Sequence, residues 1–220
     1  MRFRLTYNGP LLSSKLVKDG ENDTRAEHKH DIRREFHRQL KAQWSAHRFL
    51  REDRASPASM FEILPPRARE VWQPDGITRY SLPELLGPVF GHHGYQYVPL
   101  VWAENHLHCS LRILCLRRDG NVAAARDIDN RVKTVIDALA MPEFKQGSPR
   151  KDGATLPPQE GETPFFVLLD NDRQVSHLEV ETDDALAVSE ANPADETFVR
   201  MVITVETRAY FTTRFNLSFS

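Results

Sequence analysis

Two cysteines in a chain of this length are too few for a disulfide framework. Cys109 and Cys115 fall in one alternating stretch. At the usual strand rise they stand about 20 Å apart, beyond the reach of a bridge. They read as small buried hydrophobes in a reducing compartment. Nor is there cysteine at finger spacing beside His92, His93, His106 and His108, so those histidines do not make a zinc-finger set. The N-terminus has no apolar leader, and no apolar run approaches the roughly 18 residues that span a membrane. The expectation is a cytoplasmic protein with no membrane partner. No internal repeat is visible. A net charge of −2 excludes a nucleic-acid argument from overall charge.

What is present is an ordinary globular composition, 40% hydrophobic and 27% charged. The 220 residues suit one domain with elaborations. Charge is unevenly placed. Residues 1–54 hold thirteen Lys/Arg against eight Asp/Glu, and residues 165–220 hold four Arg against ten Asp/Glu. One part suits a polyanion and another suits a cation.

Residues 2–7 alternate and predict a first strand. Thr24 to Glu27 has the form of a capping box opening a long helix, on which Ile32, Phe36, Leu40 and Trp44 form an apolar stripe. Its other faces carry Arg33, Arg34, Arg38 and Lys41. Residues 53–100 are broken by prolines and read as an insertion or subdomain. Leu107 to Cys115 alternates as a half-buried strand, and a helix follows over 127–139. Residues 144–164 read as a mobile loop. Strands follow over 165–169, 175–180 and 198–209, with an acidic loop over 183–195.

The chemistry concentrates at the mouth of the second helix. Asp127 and Asp129 lie one residue apart, with Lys133 four residues after the second and Asp137 four further on. One aspartate is explained as a helix cap and leaves the other unexplained. Asp170 and Asp172 follow the apolar run 165–169. Strand-exit aspartates are common turn residues, but together with the first pair they offer the hard oxygen set that Mg²⁺ or Mn²⁺ takes. Lys133 beside such a set would neutralise charge on a scissile phosphate. Arg33, Arg34, Arg38, Lys41 and Arg131, with Lys145, Arg150 and Lys151 from the loop, are the candidate phosphate contacts.

The pattern D-x-D-N-x-x-K, then D-A-L, then an apolar run into D-x-Q-V resembles the RusA family of Holliday junction resolvases. Here it is Asp127, Asp129, Asn130, Lys133, Asp137-Ala138-Leu139 and Asp172-Arg173-Gln174-Val175, within residues 107–181. The resemblance implies an α+β fold, a mixed β-sheet packed against helices, with insertions. It also implies a homodimer that cuts branched or junction DNA with Mg²⁺. Asp127, Asp129 and Asp172 would bind the metal and Lys133 would assist catalysis. This chain is longer than many members, its loop between the two motifs is longer, and Asp170 competes with Asp172 for the third ligand. Two other functions fit the same residues: a nucleic-acid-binding protein that does not cut, and a metal-dependent nucleotide phosphohydrolase.

Overall fold

The structure is a computed structural model that describes residues 1–12, 22–52, 54–73, 76–117, 128–142, 157–185, 197–213 and 215–219. The first half of the chain forms β1 (Arg2–Pro10), α1 (Asn22–Ala46), α2 (Arg48–Glu52), β2 (Arg54–Ala55), α3 (Pro57–Met60), α4 (Ala68–Val71), β3 (Tyr80–Ser81) and α5 (Leu82–Val89). The second forms β4 (Gly91–His92), β5 (Tyr95–Val101), β6 (Leu107–Arg117), α6 (Ile128–Leu139), β7 (Phe165–Leu169), β8 (Val175–Asp184) and β9 (Phe198–Ala209). The protein is of the α+β class.

Four strands make the main sheet in the order β1-β9-β6-β8. β9 is antiparallel to both neighbours, while β6 and β8 run parallel. Alternation decides its two faces: Leu5, Tyr7, Ile203, Val205, Leu111 and Ile113 are buried, and the residues between them are not. A second sheet, β4-β5-β7, pairs β5 with β7 in parallel. All five residues of β7 are buried, as expected of a strand covered on both faces. His93 and Gly94, both at positive φ (48° and 84°), make the two-residue turn between β4 and β5. That is the backbone a tight hairpin favours.

α1 lies between the two sheets, which explains its side chains on two sides. Its stripe Ile32, Phe36, Leu40 and Trp44 is buried as the spacing predicts. Gln39 bonds the backbone of Thr6, holding the helix to β1. On the other side, His37 stacks on Phe165 at 4.3 Å and His30 at 5.8 Å. The helix starts at Asn22, two residues ahead of the predicted capping box. The described residues of segment 53–100 share one core with the sheets: Met60, Ile63, Leu64, Leu82 and Leu85 all belong to it. The Trp102 indole N–H donates to the Ile63 carbonyl at 2.6 Å. β5, at the end of that segment, is the middle strand of the second sheet.

No described helix is long and apolar enough to cross a membrane.

Candidate functional site

α6 runs back over the sheet from the end of β6. Its first half packs near Ile113, Cys115 and Val180, through Ile128, Val132 and Val135. This amphipathic spacing leaves Asp129 and Lys133 exposed, one turn apart. Asp129 accepts a hydrogen bond from the Asn130 amide at 3.4 Å. Asp127 lies outside the described residues.

Asp170 and Asp172 are at the other end of the same helix. β7 arrives beside the C-terminus of α6, where Ala140 and Leu169 form a parallel bridge and the Met141 N–H donates to the Leu169 carbonyl at 2.9 Å. At the helical rise, Asp129 is on the order of 15 Å from Leu139. Asp172 opens a short 3-10 turn, Asp172–Gln174, that leads into β8 opposite Cys109, and it is exposed. Residues 183 and 184, expected in a loop, continue β8 beside Leu116 and Arg117, at the Asp129 end of the sheet. The expected meeting of Asp129 with Asp172 at the helix mouth therefore does not occur within one chain. The reason is the direction of β7, which delivers its acidic turn to the helix C-terminus.

Asp170 sits in a distinct environment. It follows the parallel strands β5 and β7 at their carboxyl ends, and its N–H donates to the Val101 carbonyl. Burial, joined by Glu104 and opposed by the N–H groups of Ala103 and Asn171 and by Arg67, pushes its carboxyl up to about 6. Asp170 Oδ1 and Glu104 Oε2 are both buried without a hydrogen-bond partner among the described residues. Glu104 was missed in the sequence because Ala103–Asn105 reads as an ordinary turn; only the closeness of the β5 and β7 ends pairs it with Asp170.

The basic helix divides. Arg33 is 3% exposed and donates from Nε to the Ala140 carbonyl (2.9 Å) and from Nη2 to the Asp137 carbonyl (2.8 Å). It caps the C-terminus of α6 and is not a surface phosphate contact. Arg34 is held by Glu162 at 2.7 Å in a largely buried ion pair. Arg38 is exposed and paired with Glu35, and Lys41 is exposed and donates to the Gly161 carbonyl. Asp137 pairs with Lys29 at 2.7 Å instead of Lys133, its neighbour on α6. Arg131 lines the contact between α6 and β6, and Lys145, Arg150 and Lys151 lie outside the described residues.

Between the two acidic ends of α6 is a half-exposed apolar strip. Val132 and Ile136 of α6 and Val175 and Val180 of β8 are only partly covered, and Leu178 is 42% exposed. β8 is an edge strand with exposed residues along nearly all its length.

Comparison with known proteins does not assign the chain: no family model, no curated protein and no solved structure matches it. Mg²⁺ has suitable oxygen chemistry in Asp129, Asp172, Asp170 and Glu104. Among the described residues, however, no three His, Cys, Asp or Glu side chains come together to hold a metal. Asp127, the remaining member of the ligand set that the family resemblance carries over, lies outside the described residues.

Proposed function

We propose that the protein is a metal-dependent DNA endonuclease of the RusA type, acting on branched DNA as a homodimer. The observation that carries this reading is the pair of exposed acidic motifs, Asp129 with Lys133 and Asp172, flanking one helix in the order of that family's motifs. The apolar strip between them supplies the argument for two copies. A two-fold axis through its middle would bury Val132, Ile136, Val180 and Leu178 against their own copies. The same axis reverses α6, so Asp129 of one copy approaches Asp172 of the other. In that arrangement Lys133 stands where it offsets charge on the phosphate, and Arg38 and Lys41 are left for backbone contacts.

Incubation of purified protein with four-way junction, flap, single-stranded and duplex DNA tests the reading. The expected result is cleavage of branched substrates that needs Mg²⁺, stops with chelator and is lost in Asp129→Asn. No cleavage of any substrate, in parent and variant alike, sinks it.

The separation of Asp129 and Asp172 in one chain favours a second reading, nucleic-acid binding without cleavage. That reading predicts binding indifferent to chelator and undiminished in Asp172→Asn.

A further inference from the structure

The face of the main sheet turned away from α1 and α6 is uncovered among the described residues. Opposite in parity to the buried Leu5, Ile203 and Ile113, it presents Arg2 and Arg4 of β1, Arg200 and Arg208 of β9, and Arg112 of β6, all exposed. The acids on this face are Glu179, Glu181 and Asp183 of β8 and Glu206 of β9; Glu206 holds Arg208 at 2.8 Å and Glu179 holds Arg112 at 3.1 Å. On this face β1, β9 and β6 thus carry five arginines against one acid, Glu206, and β8 is acidic.

At one end of this face the chain exposes aromatic rings. Tyr210 and Phe211, which follow β9, are each 60% exposed. They are not loose. The Tyr210 hydroxyl lies 3.2 Å from His106 Nδ1 and donates to the Ala103 carbonyl at 3.3 Å, while its main-chain N–H donates to the His106 carbonyl. His108 lies nearly parallel to the Tyr210 ring, 6.1 Å away at 9°. His106 meets Tyr210 edge-on at 5.5 Å and Phe211 at 5.3 Å. His106 itself is at φ 56°, a conformation that needs a reason in a residue with a side chain. The Tyr210 hydroxyl is thus anchored, whereas Phe211 meets only the His106 ring among the described rings, and both aromatic side chains remain largely exposed. Arg208 pairs across the sheet with His108 and continues the platform toward the arginines of β1.

Exposed aromatic rings beside a basic track on a β-sheet match the physical needs of single-stranded nucleic acid. Every base has a face that stacks on an aromatic ring, and arginines follow the phosphates. Duplex DNA hides those base faces. We propose that this sheet face binds an unpaired nucleic-acid strand, with bases stacked on Tyr210 and Phe211 and the backbone tracked by Arg2 and Arg4, while Glu206 holds Arg208 between them and the rings. The acidic β8 marks the border of the track. The inference deepens the nuclease reading and rests on it for biological sense: Leu107 pairs with Ala209 and Cys109 with Val175, so the platform is at the Asp172 end of the sheet.

The test is anisotropy of a labelled oligothymidylate and of a duplex of equal length, with chelator present and at two salt concentrations. Binding of the single strand in preference to duplex is expected. Tyr210→Ala weakens the single strand about 5- to 160-fold, and Phe211→Ala acts similarly, at the usual worth of base stacking. Tyr210→Phe, which keeps the ring and loses only its hydroxyl anchor, loses less than Tyr210→Ala, and Arg4→Ala lowers the salt slope by about 0.7. Melting temperatures of the variants, read alongside, identify any loss due to unfolding. Three results overturn the proposal: no single-strand preference, ring variants that bind like the parent, or ring variants that dissociate a protein oligomer with no binding to lose. Ring variants that bind normally while junctions are still cut remove this inference alone. Oligothymidylate binding that behaves as stated, without cleavage of any substrate, removes the nuclease reading alone.

Discussion

Arg33 and Ala140, 107 residues apart in the chain, are joined by a buried hydrogen bond of 2.9 Å that ties the middle of α1 to the end of α6. A second bond from the same guanidinium reaches the Asp137 carbonyl, so two carbonyls at the helix terminus depend on one side chain. Arg33→Met keeps most of the aliphatic volume and leaves both carbonyls without their donor. Unfolding by urea is expected to show a loss of about 2–4 kcal/mol. The salt dependence of any DNA binding is expected to be unchanged, because the group does not face solvent. A variant as stable as the parent, with a reduced salt slope, contradicts this placement.

The buried histidines of α1 make stability depend on pH. Phe166 N–H donates to His37 Nδ1 at 2.8 Å, and His37 Nε2 faces the Gly161 carbonyl at 3.3 Å. That pairing requires the neutral ring with its proton on Nε2. Burial lowers His37, with Lys41 acting in the same direction; burial, then Arg33 and Arg34, lowers His30 to about 3. The unfolded chain takes up these protons as pH falls below the usual histidine value, and the folded chain resists until much lower pH. Their contribution is complete above that value and declines toward acid, on the order of 2 kcal/mol for His30 alone by about pH 5. Asp170 opposes them: raised to about 6, it favours the folded state at low pH and loses that contribution as pH rises to 6. Denaturant titrations at several pH values are expected to show a steeper acid loss in Asp170→Asn than in the parent. A steeper loss in His30→Gln than in the parent refutes the histidine account.

Much of the scaffold was legible because alternation survives wherever one face of a strand is buried. β1, β6 and β9 each carry that period, and α1 shows its stripe at every fourth residue. What escaped notice was the second buried side of α1. His30, Arg33 and His37 look like a solvated basic face in sequence, and become interior only because a second sheet covers them. The acidic motifs were visible as residues, but their relation was not. Five apolar residues over 165–169 say that a strand precedes Asp170; they do not say at which end of α6 it emerges. The bridge of Leu169 to Ala140 decides that, and it is a long-range pairing with no local signal.

Arg34 and Glu162 form the best-enclosed ion pair among the described ones, their side chains 15% and 10% exposed. Glu162 also accepts from the Gln159 N–H at 2.8 Å, so it organises the turn that Lys41 and His37 hold through Gly161. Removing one partner leaves an uncompensated charge in a poorly solvated place. Glu162→Gln is expected to cost about 3 kcal/mol, and the double change Arg34→Met with Glu162→Leu is expected to recover most of it. A double-mutant cycle in urea measures both. Near-additive losses show that the pair is not coupled in this way.

Separation of Asp129 from Asp172 along α6 leads to a complementation test of the two-copy site. Asp129→Asn and Asp172→Asn are each expected to lack cleavage, because every site in either homodimer lacks one carboxylate. When the two are mixed and allowed to exchange subunits, half the dimers are expected to be mixed. In each of those, one site combines the intact Asp129 of one copy with the intact Asp172 of the other, while the second site lacks both. Cleavage is expected to return to about one quarter of the parent value for a two-fold dimer with equal exchange. Leu178→Arg, placed in the apolar strip, is expected to abolish dimerisation in sedimentation and cleavage together. Mixing that restores nothing despite proven exchange places all the needed carboxylates within one copy, as does a monomeric Leu178→Arg that still cuts.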